Sequence, residues 1–280
     1  MNQLLSEKFN LTTKINYFLI LFLPISLLIG SAISNIVVLL ISIIFLIELY
    51  QRKNFSLLNN FNFYFLIIIY LYLILNAIFI AQNQDSIVRA VGFLRFIILS
   101  YAIFYYLSFF KKKIIKFWFV IFFIVSVDIV IEYFLGKNSL GFSSDYPGRI
   151  ASFTGDELKI GHFYFGFIFI ALAFLSNKKK KIQIITAILF FILALIIGER
   201  SNFLKIFIMY SLFFLFYFEI SYLKKFLIFI FLSSLTFLII LKSPVLSSKF
   251  YNHIFENYYE MFKKGETIDK DKFIQSNQHF

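Results

Sequence analysis

Residues 15–50 form an almost unbroken apolar run of 36 residues. As one helix the run would be about 54 Å long, against a bilayer hydrocarbon core of about 30 Å. It therefore has to fold back on itself. Gly30 and Ser31, followed by Ser34 and Asn35, supply the hinge, which predicts spans over 15–30 and 33–50 with a kink at Pro24. Further apolar runs predict spans over 61–80, 89–109, 114–135, 160–176, 182–198, 203–220 and 226–242. The composition agrees: 60% of the 280 residues are hydrophobic and 15% charged, where soluble domains have about 45–50% apolar and about 25% charged residues. The expected fold class is an all-α polytopic membrane protein of about nine spans. Residues 1–242 would form the helical bundle and 243–280 the start of a loop outside it.

The net charge of +12 raises the question of a nucleic-acid partner, but the basic residues sit in short clusters between apolar runs. Lys8, Lys14, Arg52, Lys53, lysines 111–113, Lys116, lysines 178–181, Lys224 and Lys225 fall on alternate connections. The turns 30–34 and 81–88 carry no basic residue. That alternation is the positive-inside pattern and places the N-terminus in the cytoplasm. It points to membrane lipids as the partner and away from nucleic acid. Cysteine is absent, which excludes disulfides and thiolate metal sites.

Two polar strips interrupt this pattern on the expected outer face. Residues 147–162 carry Arg149, Asp156, Glu157, Lys159 and His162; residues 198–202 carry Glu199, Arg200, Ser201 and Asn202. Both are expected to line one site. Arginines held at outer-leaflet depth suit a phosphate, which a guanidinium binds with two parallel hydrogen bonds. Arg200 lies in a very short turn between spans. Arg89 and Arg95 lie at the start of the span 89–109, where each either snorkels to the interface or faces a polar cavity. Asp128 and Glu132, four residues apart, share a helix face; they read as an ion pair with one of these arginines or as catalytic carboxylates. Asp156 and Glu157 read as caps on the helix that follows, and His162 as a half-buried, hydrogen-bonded side chain. Asp269 and Asp271 match an acidic metal-binding pattern that arises readily by chance on a charged tail. Phe255, Tyr258, Tyr259 and Phe262 fall on one helix face that would lie along the membrane surface.

The segment Arg149-Ile-Ala-Ser-Phe-Thr-Gly-Asp-Glu-Leu-Lys-Ile-Gly161 resembles the loop-to-helix segment of the bacterial O-antigen ligase and O-antigen polymerase superfamily. Gly198-Glu199-Arg200-Ser201-Asn202-Phe203 is similar to its later arginine motif. The resemblance implies a GT-C-like glycosyltransferase of the bacterial inner membrane. Such an enzyme works on the periplasmic face without metal or other cofactor, moving a glycan from a polyprenyl-diphosphate carrier to a lipid or glycan acceptor. It implies diphosphate binding by Arg149 and Arg200, and by Arg95 or Arg89, with Asp156, Glu157, Glu199 and Ser201 in support. It implies a catalytic base at His279, where the family's periplasmic-loop histidine motif would begin. Family members continue through more of that loop and further spans, so a C-terminally truncated chain is expected. Within the family, ligase and polymerase are not separated by any residue here. A flippase or exporter of lipid-linked oligosaccharides and a non-catalytic envelope scaffold are the readings from other classes.

Overall fold

The computed structural model describes residues 10–53, 55–144, 149–157, 159–175, 180–217 and 221–242; helices joined by turns and loops make up this part, with no strand among the described residues. The helices are α1 (Leu11–Ile29), α2 (Ser31–Arg52), α3 (Phe61–Asn76), α4 (Gln84–Gly92), α5 (Leu94–Leu135), α6 (Ile160–Leu175), α7 (Lys180–Ile196), α8 (Arg200–Tyr217) and α9 (Tyr222–Lys242). Among the described residues, four stretches are long and apolar enough to cross a membrane: Leu11–Ile29, Ser31–Arg52, Phe61–Ala81 and Gln84–Leu135. Helices α6, α7 and α8 are apolar but shorter. Helix α3 has no buried residue, and Ile68 on it is 63% exposed. Water would not tolerate so large an apolar surface, whereas hydrocarbon chains would cover it.

The first hairpin closes on one residue rather than a four-residue hinge. Gly30 has φ 150°, a conformation that a side chain disfavours, and α2 begins at Ser31 immediately after it. Antiparallel α1 and α2 are fastened at the far end, where Thr13 donates to Glu48 at 2.9 Å. Pro24 lies inside α1 and has no N–H for the carbonyl of Ile20. The indole of Trp118 replaces it, donating to the Ile20 oxygen at 3.0 Å in the interior. Trp118→Phe should therefore strand a buried carbonyl and cost about 1–3 kcal/mol. Adding Pro24→Ala, which restores the helical donor, should recover part of that loss. Thermal unfolding in detergent checks both; equal losses in the single and double variants would refute the exchange of partners.

The runs expected as separate spans at 89–109 and 114–135 are differently divided. A single turn at Phe93, whose dihedral angles stay helical (φ −64°, ψ −27°), joins α4, which carries Arg89, to α5, which carries Arg95. At 42 residues α5 would be about 63 Å long if straight, but Phe110 leaves helical geometry with φ −122° and ψ 20°. Contacts give the consequence. In the first half, the Arg95 carbonyl accepts from Ser42 at 3.0 Å and Tyr106 donates to Glu48, so this part descends beside α2. In the second half, Phe110 rests on Tyr17 (ring centroids 4.7 Å apart) and Trp118 reaches Ile20, so this part climbs beside α1. The chain thus doubles back at Phe110, with Lys111, Lys112, Lys113 and Lys116 at the bend, near the end of the bundle that holds Lys14, Arg52 and Lys53.

Aromatic side chains join the second half of α5 to the later helices. Phe122 meets Tyr164 of α6 and Phe190 of α7 at centroid distances of 4.7 and 5.0 Å, and Phe191 meets Tyr210 of α8 at 5.6 Å. Tyr106, Tyr164, Phe122 and Phe191 are among the largest fully buried side chains. This packing brings the C-terminal end of α5, the N-terminal ends of α6 and α8 and the C-terminal end of α7 to one end of the bundle, opposite Glu48.

Candidate functional site

The segment after α5 is fixed by two carboxylates on that helix, Asp128 and Glu132. Asp128 and Glu132 are 2% and 4% exposed, and no basic side chain pairs with either among the described residues. They accept from the backbone instead. Glu132 takes the N–H of Ala151 through Oε1 at 2.9 Å and that of Ser152 through Oε2 at 2.6 Å. Asp128 takes the N–H of Ser139 at 2.9 Å and the hydroxyl of Ser152 at 2.6 Å. Asn138, also buried, accepts from the N–H groups of Leu140 and Phe142 and donates to the Ser152 carbonyl at 2.6 Å. Ser152 has φ 46°, a left-handed conformation costly for a residue with a Cβ, and its N–H, hydroxyl and carbonyl are all bonded. The surrounding groups impose that conformation. The expected ion pair with Arg89 or Arg95 is not formed among the described residues, and both carboxylates anchor the loop.

The anchored segment meets the second strip. Ile150 N–H donates to the Ile197 carbonyl at 3.2 Å, one residue after Arg149 and three before Arg200. Glu199, 8% exposed, makes the next junction by accepting the Gly161 N–H at 3.3 Å. Phe163 N–H donates to the Lys159 carbonyl at 3.0 Å, which makes Lys159 the cap residue of α6. Gly161 is then the second helical residue, with no acceptor of its own inside the helix. Asp156 and Glu157, expected as the caps, lie in a short 3-10 turn (Ser152–Glu157) ahead of that position. The Gly161 N–H is met by Glu199 from the far side of the junction. A methyl group at Gly161 would collide with the Glu199 carboxylate, so this approach requires glycine.

Glu199 also accepts from the Asn202 amide. The same amide nitrogen lies 3.0 Å from Nδ1 of His162, and Asn202 Oδ1 accepts from Lys205 at 3.4 Å. His162 Nδ1 is 3.7 Å from Glu199 Oε2, and the histidine side chain is 68% exposed. It is a surface group against a buried polar pair, not the half-buried side chain expected. Arg200 is the first residue of α8 rather than part of a turn, and Ser201 beside it is exposed. Arg149 is half-buried on the anchored segment.

Arg89 of α4 and Arg95 at the start of α5 are placed elsewhere on the same end. Arg89 is exposed on the last turn of α4. Arg95 donates to Asn35 of α2 at 3.1 Å and lies over the Phe96 ring at 4.9 Å, so its guanidinium contacts neither strip among the described residues. His279, the acidic pair Asp269 and Asp271, and the aromatic face from Phe255 to Phe262 lie outside the described residues. Among the described residues no group of three His, Cys, Asp or Glu side chains comes together to hold a metal ion.

No family model, curated protein or solved structure matches the chain.

Sequence reasoning missed the second polar cluster, at the opposite end of the bundle. Glu48, 1% exposed, accepts from Thr13 at 2.9 Å, from Tyr105 at 3.4 Å, from Tyr106, and from Arg52 at 3.0 Å. Its signal was available: an acid inside an apolar run, four residues before an arginine.

Proposed function

We propose that the chain is a membrane glycosyltransferase of the O-antigen ligase type, moving a glycan from a polyprenyl diphosphate to a lipid or glycan acceptor. The observation that carries this reading is the junction of the two strips. The Ile150–Ile197 and Gly161–Glu199 hydrogen bonds bring the segments bearing Arg149 and Arg200 to one end of the bundle. Two arginine-bearing segments locked together at a bundle end suit an anion whose phosphates lie at headgroup depth. The opposite end carries Lys14, Arg52, Lys53 and the lysines at the Phe110 bend, which supports a cytoplasmic N-terminus and a periplasmic site in a bacterial inner membrane. The nine-span arrangement and the GT-C-like architecture belong to the same reading.

In the reaction the acceptor hydroxyl attacks the anomeric carbon of the donor. The new carbon–oxygen bond forms as the bond to the diphosphate oxygen breaks, with inversion at carbon. The hydroxyl proton passes to a base, the role His279 takes by resemblance, and the polyprenyl diphosphate leaves with the electron pair. Arg149 and Arg200 stabilise the charge that develops on the diphosphate, a task fixed cations perform without a metal. A polymerase joining repeat units would use the same donor and the same site.

Lysine cannot reproduce the paired hydrogen bonds of a guanidinium. Arg200→Lys and Arg149→Lys should each lower glycan transfer about tenfold or more, the scale of one lost charge-assisted hydrogen bond. Transfer to acceptor in isolated membranes, with the protein level measured alongside, checks this. Unchanged transfer by both variants at normal protein level would remove the arginine clamp and the reading with it.

A further inference from the structure

The side chain that distinguishes this junction is His162, and its neighbours determine which ring nitrogen carries the proton. Lys205 can only donate, so the Asn202 atom 3.4 Å from its ammonium is the amide oxygen. The Glu199 carboxylate, which already accepts the Gly161 N–H, faces the amide nitrogen. With Asn202 fixed from both sides, its Nδ2 directs one hydrogen to Glu199 and the other to His162 Nδ1 at 3.0 Å. Nδ1 is thereby an acceptor. In a neutral imidazole the proton then resides on Nε2, and that nitrogen is a donor, not a base. Asn202 is 1% exposed while the His162 side chain is 68% exposed, so the buried network sets the tautomer of a ring whose other edge is open.

We infer that His162 donates a hydrogen bond from Nε2 to a phosphate oxygen of the ligand held by the Arg149 and Arg200 segments, with Asn202 as the positioning residue. A ring N–H at the bundle end that carries the Arg149 and Arg200 segments contributes direction to the ligand, and the Glu199 carboxylate behind it is occupied by Gly161 and Asn202. This rests on the reading that the bundle end binds a diphosphate.

The test uses the full chain in phosphatidylcholine nanodiscs with three probes: polyprenyl diphosphate in the disc, inorganic pyrophosphate in solution, and phosphatidylglycerol in the disc. His162→Ala should weaken binding of polyprenyl diphosphate and of pyrophosphate about tenfold, the scale of one hydrogen bond to a charged group. His162→Gln, whose amide can donate from near the Nε2 position, should stay within about threefold of wild type, well inside that one-bond scale. Ring-nitrogen NMR of the 15N-histidine-labelled protein should place His162 Nδ1 in the unprotonated range, and Asn202→Leu should abolish that preference. Equal weakening by Gln and Ala would identify a role other than donation, and unchanged binding by Ala would remove His162 from the site; both overturn the inference. So would an effect as large on phosphatidylglycerol, which would mean general headgroup contact. Wild-type protein that binds neither diphosphate probe overturns the proposed function itself, and arginine variants that lose binding while His162→Ala keeps it overturn this inference only.

Discussion

Replacing Glu132 by alanine is expected to destabilise the protein by about 2–6 kcal/mol, since it strands two buried backbone N–H groups at about 1–3 kcal/mol each. Ala151 and Ser152 are both fully buried and have Glu132 as acceptor at 2.9 and 2.6 Å. Neither N–H can turn to water without moving the chain. Ser152 adds to the effect, because its left-handed conformation at φ 46° persists only while its neighbours hold it. Once Glu132 is gone, the segment should relax toward ordinary dihedral angles and carry Arg149 with it. Glu132→Gln keeps one carbonyl acceptor but turns an amide group toward the other N–H, so its cost should fall between wild type and alanine. Unfolding in detergent measures the loss, and the rate of tryptic cleavage at Arg149 reports the released segment. If the alanine variant unfolds like wild type and resists trypsin equally, the carboxylate does not anchor this segment.

Glu132 also illustrates what a sequence can and cannot reveal in such a chain. Helix class and apolar runs were readable because a bilayer requires about twenty apolar residues per crossing, a demand local enough to show in the order of residues. The identity of a partner is not local. Spacing placed Asp128 and Glu132 on one face, and a buried acid in membrane suggests a cation. Their actual partners are backbone N–H groups and the Ser152 hydroxyl, up to 24 residues away in a segment with no repeating pattern. Asp156 and Glu157 stood where a cap is expected, but nothing in the sequence near α6 announced that Glu199, 38 residues on, accepts the Gly161 N–H. The kink residue Pro24 was visible; its substitute donor Trp118, 98 residues from the freed carbonyl, was not. Convergence of the two strips was inferred from alternation of charge, and the hydrogen bonds between them required the fold.

The second large effect lies at the other end of the bundle. Glu48→Ala should cost about 3–5 kcal/mol, the range for removing one partner of a buried ion pair. Arg52→Ala should cost only about 1 kcal/mol, because Arg52 is 31% exposed and solvent screens its contribution. The asymmetry follows from the donors. Without Arg52, Glu48 still accepts from the hydroxyls of Thr13, Tyr105 and Tyr106; without Glu48, those three hydroxyls lose this acceptor at once and Arg52 keeps only the Thr13 oxygen at 3.0 Å. Glu48→Gln keeps an acceptor for the hydroxyls and should lie between the two. Thermal unfolding of the three variants in one detergent gives the ranking, and equal losses for Glu48→Ala and Arg52→Ala would mean that the ion pair, not the hydroxyl cluster, ties α1 and α2 to α5. Since this cluster and the Glu199 junction sit at opposite ends of the bundle, polyprenyl diphosphate should bind the folded Glu48→Gln protein with wild-type affinity. A large loss of affinity there would show instead that the two ends are coupled through α1 and α5.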